Sequence, residues 1–146
     1  MTCIAWDGNI LAADKLSTQY GQKQTVTKLF RLNDGSLAGI TGDAVYGLAI
    51  IKWLNSDRNP AEYPKNVAAN DEIYANVLVV SQDWSVKKYQ QNAFALVIED
   101  KQVAMGSGQD FAMAAMYCGK TAIEAVKVAN ELSKDCGNGF DYLSFG

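Results

Sequence analysis

Thr2 stands directly behind Met1 in a chain of 146 residues that contains no histidine, and this pairing sets the first chemical question. Without imidazole there is no Ser-His-Asp or Cys-His catalysis and no His-containing zinc site. The three cysteines, Cys3, Cys118 and Cys136, fall one short of an all-thiolate zinc site. Nucleophilic chemistry near neutral pH then needs another titrating group. The options are a perturbed Lys or carboxylate, or an α-amino group, whose unperturbed pKa is about 7.7 to 8.0. Thr2 can supply the last. A small residue at position 2 permits removal of Met1 by methionine aminopeptidase, and a threonine at the new N-terminus carries a hydroxyl and a free amine on one residue. The amine can take the hydroxyl proton directly or through water, replacing the missing histidine.

The remaining composition narrows the class. The cysteines form no C-x-x-C pair and are odd in number, so they read as buried small hydrophobes rather than a disulfide framework. A net charge of -3, with no basic cluster beyond Lys87-Lys88, argues against a nucleic-acid partner. No apolar run approaches the ~20 residues needed to cross a bilayer, so no membrane partner is expected. Met1-Thr2-Cys3-Ile4 lacks the charged and long apolar regions of a secretory signal, and a cytoplasmic location is expected. With 49% apolar and 20% charged residues the composition is globular, and residues 1–146 suit one domain.

These groups need elements to position them. Thr2–Trp6 and Ile10–Ala13, about the turn Asp7-Gly8-Asn9, predict a hairpin that begins at the threonine itself. After a polar stretch from Ser17 to Gln24, Thr25–Leu32 and Ser36–Ile40 predict a second hairpin about Asn33-Asp34-Gly35. Val45, Leu48, Ile51 and Trp53-Leu54 recur at helical spacing from Asp43 to Leu54, and Asn55-Ser56-Asp57 stops the helix. Pro60 and Pro64 enclose a loop. Strands follow at Asn76–Val80, Val86–Tyr89, Phe94–Ile98 and Val103–Met105. Two helices, Phe111–Tyr117 and Thr121–Lys134, are separated by Gly119, and Phe140–Phe145 alternates as a last strand. Strands grouped apart from helices indicate an α+β fold.

Across nearly the whole chain these landmarks resemble HslV and proteasome β-subunits, the threonine-type N-terminal-nucleophile hydrolases. The resemblance rests on Thr2-Cys3-Ile4-Ala5 leading into Leu11-Ala12-Ala13-Asp14, the strand around Lys28, Ala38-Gly39-Ile40-Thr41-Gly42-Asp43 turning into a helix, and Met105-Gly106-Ser107-Gly108 before the paired helices. It implies a four-layer αββα sandwich, reduced between Asn55 and Asn70, where two prolines and few apolar residues replace a family helix.

The resemblance also implies roles. Thr2 would be the nucleophile, Lys28 the ammonium beside its hydroxyl and Asp14 the carboxylate that orients Lys28. Gly42 would offer its N–H to the oxyanion, although a glycine before a helix is otherwise a turn residue. Ser107 would assist proton transfer at the Thr2 amine, a role compatible with capping the next helix. Asp135, with Asn138, corresponds to acidic and polar residues near that amine. Val26, Ile40 and Ala44 fall where the family lines its specificity pocket, implying cleavage after apolar residues. The implied enzyme is a homo-oligomer of stacked rings that hydrolyses unfolded polypeptides, with an ATP-dependent unfoldase as a further partner and no metal or organic cofactor. Two alternatives remain open on the residues: a non-catalytic ring subunit that keeps Met1, and an amidohydrolase of the same class acting on a small molecule.

Overall fold

The computed structural model describes residues 2–65 and 74–146, and the chain divides into two compact units. One holds the chain up to Leu29 together with Asp100–Gly146; the other is Phe30–Glu99. In chain order the elements are β1 (Ile4–Trp6), β2 (Ile10–Asp14), β3 (Leu16–Gln19), β4 (Gln22–Thr25), β5 (Leu29–Arg31), β6 (Leu37–Gly42), α1 (Ala44–Leu54), β7 (Ala75–Val80), β8 (Val86–Tyr89), β9 (Leu96–Ile98), β10 (Val103–Met105), α2 (Gln109–Tyr117), α3 (Ala122–Leu132) and β11 (Phe140–Ser144). The structure is mixed α+β. Among the described residues no helix is long and apolar enough to cross a membrane.

In the first unit an antiparallel sheet runs in the order β10-β1-β2-β11. The predicted hairpin pairs Ile4 with Ala13 and Trp6 with Leu11. Asp7 holds its turn: one carboxylate oxygen accepts from the N–H groups of Asn9 and Ile10 at 2.8 and 2.7 Å. The other accepts from Ala122 N–H at 2.8 Å, which fastens the turn to the start of α3. The helices pack through small residues. Ala112, Ala125 and Ala129, with Met116 and Val126, close over Cys3, Ala5 and Ala12, so the sheet and helix backbones come close. Burying side chains the size of Val126 and Met116 contributes about 1.5–3 kcal/mol each.

Thr121 begins α3 with a capping box, its Oγ1 accepting from Glu124 N–H while the Glu124 carboxylate accepts from Thr121 N–H. Thr121→Ala should therefore cost about 1 kcal/mol, read as a fall of about 2–4 °C in the melting temperature. An unchanged melting curve would contradict the cap.

Two features of this unit depart from expectation. Ser17 to Gln24 is not an irregular stretch but most of a hairpin, β3 with β4, turned by Tyr20 and Gly21 at φ +51° and +79°. Its side chains are mostly polar and exposed, so no apolar alternation marks it. Thr25 accordingly ends β4 instead of opening a longer strand. Residues 26–28 then form a link outside the strands, so Lys28 lies before β5 and not within a strand.

The second unit is a five-stranded antiparallel sheet, β5-β6-β7-β8-β9, covered by α1. Asp43 caps α1 through Tyr46 N–H at 2.7 Å. Trp53 anchors the core: its indole N–H donates to Asn59 O at 2.9 Å, and its ring meets Tyr63 and Tyr89 edge-on at 4.8 and 5.9 Å. The buried face of α1 carries Tyr46, Gly47, Ile50, Ile51, Trp53 and Leu54, whereas Val45 and Leu48 point to solvent. A helix apolar on most sides does not reveal by periodicity alone which side the sheet takes. Phe94 and Ala95 likewise stay outside β9, Phe94 being exposed. The loop expected at Pro60 contains a 3-10 turn, Pro60–Glu62, capped by Asn59. Residues 66–70 of the reduction expected between Asn55 and Asn70 lie outside the described residues.

Candidate active site

The first hairpin brings Asp14 to the N-terminal segment by register. With Ile4 opposite Ala13, Cys3 falls opposite Asp14; Asp14 N–H donates to Cys3 O at 3.1 Å and Cys3 N–H to Asp14 Oδ1 at 3.0 Å. Asp14 is fully buried and its carboxylate is well supplied with donors. Lys28 Nζ joins Cys3 N–H on Oδ1 at 2.7 Å, while Leu16 and Gly137 N–H groups reach Oδ2 at 3.3 and 3.1 Å. Stripping water from a carboxylate and an ammonium costs several kcal/mol per ion, and only an arrangement this saturated offsets it.

Lys28, itself buried, also donates to Thr2 Oγ1 at 3.3 Å. Asp14 therefore fixes a cation against the threonine hydroxyl. The backbone of Thr2 is held by the turn between β10 and α2. Thr2 N donates to Ser107 Oγ at 3.0 Å, and Thr2 O accepts from Gly108 N–H at 3.0 Å and from Ser107 Oγ at 3.5 Å. This approach demands glycine at position 106. Gly106 sits at φ +95°, and a Cβ there would lie 2.1 Å from Thr2 O. Ser107 does not cap α2: the N-cap is Gly108, with no side-chain bond, because the serine hydroxyl is turned to Thr2.

Thr2, Asp14, Lys28 and Ser107 are thus brought together within one unit. Chemically, a cation beside a hydroxyl favours the alkoxide, and a hydroxyl bonded to the Thr2 nitrogen offers a path for a proton.

Asp135 does not join this cluster through any hydrogen bond among the described residues. It is half-buried, and its backbone N–H donates to Ser133 Oγ at 3.2 Å. Asn138 donates from Nδ2 to Gln24 O at 3.4 Å and Thr25 Oγ1 at 3.3 Å, pinning its loop to β4. Between them Gly137 supplies the backbone donor to Asp14, a partner that residue type alone does not announce.

Gly42, Ile40 and Ala44 belong to the second unit. Gly42 ends β6 at φ +87°, where a Cβ would lie 2.4 Å from Tyr74 O. Ile40 is buried against Gly47 of α1, Ala44 is exposed at the start of that helix, and Val26 of the first unit is half-buried. Among the described residues no group of three or more His, Cys, Asp or Glu side chains is placed to hold a metal ion.

No protein-family model and no curated protein matches this sequence. Solved structures do match over the full length. Thiobacillus denitrificans BPH is 20% identical with a TM-score of 0.72, covering 100% of this chain and 99% of its own. Eukaryotic HslV from Trypanosoma brucei is 20% identical with a TM-score of 0.71, covering 98% of each chain. Thiobacillus denitrificans BPH in complex with epoxomicin is 18% identical with a TM-score of 0.69, covering 99% of this chain and 98% of its own. The chain has the fold of these proteins, the fold that its sequence resembles.

Proposed function

We propose that a chain of this fold, with the Lys28 cation set beside Thr2 Oγ1, is a threonine-type peptidase of the HslV and proteasome kind. The observation that carries the reading is Lys28, buried and paired with Asp14, donating to Thr2 Oγ1 at 3.3 Å. In the proposed reaction, Met1 is removed and the Thr2 amine takes the hydroxyl proton with help from Ser107. Thr2 Oγ1 attacks the scissile carbonyl while Lys28 favours the alkoxide. Gly42 N–H, by its place in the resemblance, holds the oxyanion. Collapse expels the amine product, which takes up the proton, and water then hydrolyses the ester left on Thr2. Asp135 is proposed to support the amine only indirectly, through its loop.

A preference for apolar residues before the cleaved bond, which the resemblance implies through Val26, Ile40 and Ala44, is part of the proposal. Homo-oligomeric rings enclosing the sites, unfolded polypeptides as substrates and an ATP-dependent unfoldase that delivers them complete the proposal. HslV is what one structural neighbour is, and that likeness supports it.

The test is hydrolysis of fluorogenic peptides with an apolar or a charged residue before the leaving group. Turnover of the apolar peptides is expected. Absence of turnover by protein that begins at Thr2 would contradict the reading, and a stable monomer in sedimentation would contradict the ring.

A further inference from the structure

Two of the three cysteines meet directly behind the Thr2 peptide. Cys3 and Cys136 are both buried in one cluster, and both lie against Gly108. Gly108 makes the space for them, since a Cβ there would lie 2.7 Å from Cys136 Sγ and 2.9 Å from Cys3 Cβ. Cys3 Sγ also lies 3.8 Å from Gly108 O. Cys118, by contrast, is exposed at the end of α2.

The pair brackets Asp14. Cys3 N–H binds one oxygen of its carboxylate, and the N–H of Gly137, next to Cys136, binds the other. We infer that Cys3 and Cys136 form a redox-active dithiol that a hydroperoxide closes reversibly to a disulfide, disturbing the Asp14–Lys28 pair and slowing hydrolysis at Thr2. The effect on hydrolysis rests on the peptidase reading; the dithiol does not.

The neighbouring Cys3 thiol lowers the Cys136 thiol to about 7, against opposition from burial. The Cys136 neighbour, with burial, pushes Cys3 up, so Cys136 is the more readily ionised of the two and the attacking sulfur. Thiolate attack on the peroxide O–O bond gives a Cys136 sulfenic acid and hydroxide. The Cys3 sulfur then attacks the sulfenic sulfur, expelling a second hydroxide, and the two thiol protons convert the hydroxides to two waters. The peroxide is reduced by two electrons and the two sulfurs are oxidised by two. Closure draws the sulfurs to about 2.05 Å. Two of the three amides on Asp14, those of Cys3 and Gly137, belong to the segments being pulled.

The experiment uses the full chain with Cys118→Ser, which removes the exposed thiol, treated with one equivalent of hydrogen peroxide. Intact mass should fall by two hydrogens, and a non-reducing peptide map should join the Cys3 and Cys136 peptides. Dithiothreitol should reverse the linkage. Hydrolysis should drop severalfold with oxidation and return on reduction, and added Cys136→Ser should make it insensitive to peroxide. Should that variant fail to fold, the peptide map of Cys118→Ser decides alone. Unlinked peptides, or a Cys136 sulfinic acid instead of the disulfide, would overturn the dithiol. Linked peptides with unchanged hydrolysis would overturn the coupling to Asp14. Should the reduced protein hydrolyse nothing, the peptidase reading fails while the linkage is still judged by mass.

Discussion

Replacing Thr2 by Ala lowers peptide hydrolysis by more than about a thousandfold, as expected for loss of a nucleophile, and leaves the protein folded. Alanine is as small as position 2 requires, so the proposed removal of Met1 is expected to continue and to leave a free amine. The comparison thus isolates the hydroxyl. Ser107 and Gly108 bind the Thr2 backbone and not its side chain, so these contacts survive the substitution. Asp14 keeps its ammonium and its three N–H donors, which holds the buried charge satisfied. Circular dichroism and a steady-state assay with a fluorogenic peptide make the measurement. Activity of Thr2→Ala within a few-fold of the unaltered protein would remove Thr2 from the chemistry.

Lys28→Ala is expected to act on both activity and stability. Hydrolysis falls by at least on the order of a hundredfold, the scale for removing one electrostatic stabiliser at a reacting oxygen. Stability falls by about 3–5 kcal/mol, because a fully buried Asp14 loses its counter-ion. The two effects separate in the double variant. Asp14→Asn removes the stranded charge, so Lys28→Ala with Asp14→Asn should cost less than the two single changes added together. It should recover stability relative to Lys28→Ala without recovering hydrolysis. Urea unfolding of the four proteins measures the coupling; strict additivity would show that the ion pair contributes nothing of its own.

Much of this site was legible in the chain because its parts sit on elements with strong local signals. Short apolar runs on either side of Asp7-Gly8-Asn9 mark a hairpin, whose observed strands begin at Ile4 and Ile10, and its register carries Asp14 to Cys3. Lys28 was another matter: nothing local separates it from a surface lysine, and it stood out only through the resemblance to HslV and proteasome β-subunits. Its setting was also misread, since β4 ends at Thr25 and leaves Lys28 in a link between strands. The β3–β4 hairpin escaped because its side chains are polar on both faces and carry no record of burial. Gly137 escaped because a backbone N–H looks the same in every sequence. Cys3 and Cys136 read as core residues, which they are; that they touch is a consequence of α3 crossing β1 and β2, a tertiary fact without a sequence motif.

Every step proposed for Thr2 needs its amine free, so intact mass with N-terminal sequencing of the purified protein tests the account most directly. A chain lighter by one methionine residue, with threonine as its first residue, is the predicted result. Complete retention of Met1 would contradict the peptidase reading and leave a non-catalytic subunit of the same fold in its place.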